Sequence, residues 1–211
     1  MSNIIGALHA YNRRERHHLM AKAVGNQGQL RLDVRFLTQL ENSLRPGLSG
    51  EIRPNADVFV DYAIDWLFAS VHYPGKEPGS QKMKVTEDIT ATNQDIDLLV
   101  AFEESGVTTL IMVEAKGATR FDPSQATKKI LRRKGIFAGA EGKVKPMFLL
   151  ASPKKPSVDV HDWPAWAKHD HQPYYLRFCL PDASRKLTRC DRDEQSKFKN
   201  WKIDLWEDGC N

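Results

Sequence analysis

Apolar positions recur at helical spacing in the N-terminal third of the chain and at strand spacing through its middle. The pattern predicts helices over about 7–24 and 29–43, stopped at Gly25 and at Arg45-Pro46-Gly47. A third helix is predicted over about 55–71, with Pro54 in its first turn and Val58, Phe59, Tyr62, Ala63, Trp66 and Leu67 as a broad apolar surface. Asp57, Asp61 and Asp65 would form one stripe along it. The Pro- and Gly-rich run from Tyr73 to Gly79 breaks regular structure. Strands are then predicted over 83–89, 96–102 and 108–115, the last two joined by a hairpin through Glu103-Glu104-Ser105-Gly106. Residues 96–102 are apolar on both faces except at their start, as in an interior strand. Asp122-Pro123 opens a helix reaching about residue 134, and a strand follows over 144–150. The C-terminal part adds a short helix at 163–168 and a strand at 174–180, and no element is predicted beyond.

These elements describe one α/β domain, a mixed sheet of four or more strands flanked by helices. Residues 1–50 form an N-terminal helical extension, 54–151 the core and 152–211 a C-terminal addition. The 211 residues are 41% hydrophobic and 27% charged, which suits a packed globular chain and excludes collagen-like or disordered classes. Uncharged apolar runs such as Val107 to Val113 are too short for a membrane helix, and the start Met-Ser-Asn-Ile-Ile lacks a signal-peptide layout. A cytoplasmic protein with no membrane partner is expected. Cys179, Cys190 and Cys210 lack metal-type spacing and are expected to be reduced bystanders.

Charge changes the picture more. Residues 1–116 hold 12 Lys and Arg against 15 Asp and Glu, a net of −3, whereas residues 117–211 hold 19 against 12, a net of +7. An acidic half that holds cations beside a basic half that meets a polyanion is one use of such a split.

The candidate chemistry lies at Asp97, Glu114 and Lys116. Glu114 and Lys116, two apart on a strand, share a face. A two- or four-residue turn centred on Glu104 and Ser105 would set Asp97 opposite Met112 and Asp95 opposite Glu114, bringing the carboxylates to the same face; an odd loop would separate them. Mg²⁺ or Mn²⁺ is bound by hard oxygens, typically one or two carboxylates with substrate phosphate and water. Asp97 and Glu114 would supply the carboxylates, with the Ala115 carbonyl as a further oxygen. Lys116 would orient the attacking water or offset charge growing on the phosphorus-bound oxygens. Lys128, Lys129, Arg132, Arg133 and Lys134 make a basic helix next to this site, suited to phosphate contacts or to a solvated face.

Asp97 opening an apolar strand, Glu114-Ala115-Lys116 ending the next and a following helix bearing Gln125 resemble the PD-(D/E)XK, or restriction-endonuclease-like, nuclease superfamily over about residues 54–151. Ile96 stands where the literal motif has proline. The resemblance implies a restriction-endonuclease-like core in which Asp97 and Glu114 bind metal and Lys116 assists catalysis. It further implies that an acid from the preceding helix, Asp61 or Asp65, joins the metal site, and that Gln125, Lys128 or Lys129 acts from the following helix.

Other aromatic and histidine clusters are expected to be structural: Trp163, Trp166, Trp201 and Trp206 as small-cluster core, and His161, His169 and His171 as surface residues rather than zinc ligands. No phosphate loop, dinucleotide fingerprint, nucleophile elbow or zinc-protease helix is present. The expected function is therefore Mg²⁺- or Mn²⁺-dependent cleavage of nucleic acid, DNA before RNA, with a homodimer allowed. The alternative is the same fold serving as an inactive module for nucleic-acid binding or protein assembly.

Overall fold

A computed structural model of the chain describes residues 3–12, 23, 30–75, 79, 94–117, 120–178, 185–192 and 198–205. The elements are α1 (Ile4–Asn12), α2 (Val34–Leu44), β1 (Asp57–Ala63), α3 (Ile64–His72), β2 (Asp95–Glu104), β3 (Val107–Ala115), α4 (Pro123–Phe137), β4 (Val144–Ser152), β5 (Lys168–His169), β6 (Gln172–Pro173), β7 (Tyr175–Arg177), β8 (Arg185–Arg192) and β9 (Phe198–Leu205), with one 3₁₀ turn at Ala165–Ala167. The strand expected at 83–89 and most of residues 13–24 lie outside the described residues.

The central sheet is mixed and five-stranded, in the order β1-β2-β3-β4-β7. The first three strands run antiparallel, and β3, β4 and β7 run parallel. α4 makes the crossover between the parallel pair β3 and β4, because parallel neighbours need a long connection. One face of the sheet packs Phe59, Leu99, Leu110, Met112, Phe148 and Leu150 against residues of α1, α3 and α4. The other packs Val100, Phe102, Ile111, Val113 and Leu149 against Leu40 and Leu44 of α2. β2, β3 and β4 are thus covered on both sides, which is why their sequences are continuously apolar. β8 and β9 pair as a separate antiparallel hairpin.

The helix expected over 55–71 is corrected. Residues 57–63 are an antiparallel strand against β2, and only Ile64–His72 is helical. Pro54 and Asn55 lie in a turn closed by Ala56 N–H to the Arg53 carbonyl at 2.9 Å. Val58, Phe59, Val60 and Tyr62 favour a pleated surface, and ladder pairing with β2 overrides their helical spacing. Asp57, Asp61 and Asp65 therefore form no helical stripe: Asp57 pairs with His9 at 2.8 Å, Asp61 sits at φ 51° in the strand, and Asp65 occupies the first turn of α3.

The hairpin register is also corrected. Ser105 and Gly106 alone form the loop, at φ 51° and 79°, the positive-φ pair of a type I′ turn whose twist matches the flanking strands. Glu104 pairs with Val107 and Leu98 with Val113, so the next step sets Asp97 opposite Glu114, and Met112 faces Leu99. The register differs by two residues from the expected one, and the shared face survives.

Candidate active site

Asp97 lies near the start of β2 and Glu114 near the end of β3, two antiparallel neighbours, so the pair sits at the sheet end away from the hairpin. Asp97 is tied across the strands: its Oδ2 accepts a 2.6 Å hydrogen bond from the Ala115 N–H. Glu114 is 3% exposed, on the same face as Met112 and Leu110, beneath α4. A carboxylate there needs partners. Three cations supply them. Lys129 Nζ and Lys116 Nζ, the latter at 3.8 Å, pair with Oε1, and Arg133 Nη2 lies 3.3 Å from Oε2.

The helix dictates which cations reach the site. Asp122 caps α4 by accepting from the Gln125 N–H at 3.0 Å, and Pro123 occupies its first turn. Ala126, Ile130, Ile136 and Phe137 are buried, fixing the face turned to the sheet. Lys129 and Arg133, four apart, fall beside that face and reach Glu114 together. Lys128 is exposed and Arg132 half-buried. Of the five basic residues read from the sequence as suited to phosphate contacts, the structure thus brings Lys129 and Arg133 onto Glu114, leaves Lys134 exposed, and buries Arg133 wholly, away from any surface a polyanion could meet. Lys128 and Arg132 remain on the outer side of the helix.

The other expected residues are dispersed more widely. Ala115 and Gln125 are exposed. Asp61 is exposed on β1, and the register between Val60↔Leu98 and Tyr62↔Ile96 sets it level with Asp97 on the neighbouring strand. Asp65 is exposed one turn away in α3. His161, His169 and His171 are exposed, the first two paired with adjacent Asp162 and Asp170. Trp163 is buried in one core cluster, and the partly buried Trp166 packs against that cluster, edge-on to Phe137. Cys179, Cys210 and Trp206 lie outside the described residues.

Burial pushes the Asp97 carboxyl above the usual carboxylate range, and the Glu114 charge adds to the rise; the Ala115 N–H, Lys129 and Lys116 oppose it. Burial likewise pulls the Arg133 guanidinium below its ordinary value, against the attraction of Glu114 and Asp97. Two carboxylates and three cations leave the cluster at a net +1, a balance that favours an incoming anion.

Among the described residues no group of three or more His, Cys, Asp and Glu converges, so a cation here would be held by the two carboxylates. That oxygen-only donor set, with the exposed Ala115 at the strand end, fits Mg²⁺ or Mn²⁺, which keep waters and take few protein ligands. Zinc, which favours His and Cys, does not fit it.

Comparison with family models, with curated proteins and with solved structures gave no match. The described residues contain no helix long and apolar enough to cross a membrane.

Proposed function

We propose that this chain is a Mg²⁺- or Mn²⁺-dependent nuclease that hydrolyses phosphodiester bonds, with DNA as its first substrate, on a restriction-endonuclease-like core. The observation that carries the reading is the placement of Asp97 opposite Glu114 on adjacent strands, fastened by the Ala115 N–H, with Lys116 alongside at the sheet's open end. The crossover of α4 between parallel β3 and β4, beside two antiparallel strands, supports the core assignment.

Asp97 and Glu114 would hold the metal, which when bound polarises the phosphoryl oxygen and lowers the pKa of a bound water. Lys116, partly exposed next to Glu114, would face the reacting phosphate and offset the charge that grows on its oxygens. Lys129, with its ammonium on Glu114 Oε1, is the cation that a bound metal would relieve of that contact and free to meet phosphate. Lys128 and Arg132, outside on α4, would touch the nucleic-acid backbone.

The close pairing of Glu114 by Lys129 and Arg133 favours a second reading, in which the cluster is a buried structural ion network and the fold serves binding or assembly. One experiment separates the two: incubating the purified chain with linear, circular, single-stranded and branched DNA and with RNA, in Mg²⁺ or Mn²⁺ against EDTA. Metal-dependent cleavage of any of these supports the nuclease. No cleavage and no metal uptake by calorimetry would leave the second reading.

A further inference from the structure

Arg133 is the largest fully buried side chain among the described residues, and burying a guanidinium is expensive. It is also incompletely satisfied. Nη2 meets Glu114 at 3.3 Å, while Nε and Nη1 are buried without a hydrogen-bond partner. The guanidinium carbon stands 5.0 Å from the centre of the Phe148 ring, so β4 supports the group from beneath. A methionine would fill the same space between α4 and β4 without the desolvation cost. What an arginine adds is a directed grip on one carboxylate oxygen.

The two oxygens of Glu114 are differently placed. Oε2 is held by Arg133, which is 0% exposed, whereas Oε1 faces Lys129 and Lys116, whose side chains are 24% and 37% exposed. One oxygen is held by a fully buried cation and the other by the two partly exposed lysines that also act on Asp97. We infer that Arg133 is a positioning residue that grips the inner oxygen of Glu114 and so presents the outer one to a divalent cation. The inference rests on the metal site proposed above and deepens it, since Arg133 acts through Glu114 and touches neither metal nor substrate.

Electrostatics and orientation predict opposite signs, which makes the test sharp. Removing a positive charge beside two carboxylates would by itself tighten cation binding, whereas losing the grip on Glu114 would weaken it. Mn²⁺ would be titrated calorimetrically into the whole chain and into Arg133→Met, Arg133→Lys and Phe148→Leu, each checked for its thermal unfolding transition. Phe148→Leu removes the ring beneath the guanidinium and alters no charge, so it carries the test if neither Arg133 variant folds. Arg133→Met should bind Mn²⁺ about tenfold more weakly or worse. Arg133→Lys and Phe148→Leu should also bind more weakly than the parent. A folded Arg133→Met binding as tightly as the parent or tighter would overturn the inference and leave the metal site standing, as would unchanged affinity in both other variants. A parent chain that takes up no Mn²⁺ would overturn the metal site, and this inference with it.

Discussion

The Ala115 N–H donates to Asp97 Oδ2 at 2.6 Å, and this single contact locks the start of β2 to the end of β3 where their carboxylates meet. It fixes Asp97 by backbone, on rigid strands, which is how a site gains the precision that loop-borne groups lack. The contact also forces a half-buried carboxylate to sit near Glu114, whose charge adds to the rise that burial imposes on its pKa.

A carboxyl with a raised pKa carries a stability cost when ionised. The cost is fully present above the folded-state value and disappears as pH falls toward the ordinary value of 3.8. Asp97→Asn keeps an oxygen for the Ala115 N–H and removes the charge. It should therefore melt at higher temperature than the parent at neutral pH, with the gain shrinking toward about pH 4. Thermal unfolding over that pH range checks this; a variant less stable than the parent at neutral pH would contradict it.

Glu114→Ala should behave quite differently. It strips the buried Arg133 of its carboxylate partner and should cost about 3–5 kcal/mol in denaturant unfolding, as expected when one member of a buried pair is removed. Replacing both as Glu114→Leu with Arg133→Met should recover most of the loss. A Glu114→Ala chain of parental stability would mean the network holds nothing.

Lys116 is expected to act in the transition state and not in docking. Lys116→Ala should lose cleavage by about two to three orders of magnitude with affinity for nucleic acid in Ca²⁺ nearly unchanged. Equal losses in binding and cleavage would make Lys116 a docking residue.

The outer side of α4 gives a separate prediction. Neutralising Lys128 and Arg132 together should weaken binding across all sequences and flatten the log–log salt dependence by about one to two units. Filter binding over a salt series measures it, and a parental slope would assign that side to solvent.

The existence of the hairpin was legible from two apolar runs around a polar Gly-containing turn, α4 from its Asp122-Pro123 start, and β4 from its apolar run. β1 was not. It runs into α3 with no glycine or proline between them, Ala63 alone making the change, so Phe59, Ala63 and Leu67 read as one continuous helical face. The Asp97 and Glu114 pair could be placed on one face from parity alone, but the two-residue shift needed the positive φ of Ser105, which a serine does not advertise. The inward turn of Arg133 had a signal. It lies three residues after Ile130 and three before Ile136, on the apolar face of α4, where a charge implies a buried partner.

The most direct test is single-turnover cleavage of a DNA substrate by the parent chain and by Asp97→Asn, each in Mg²⁺, in Mn²⁺ and in EDTA. The parent should cleave in either metal and not in EDTA, and a folded Asp97→Asn should lose at least about a thousandfold. Cleavage by the variant at the parental rate, or parental cleavage that persists in EDTA, would contradict this.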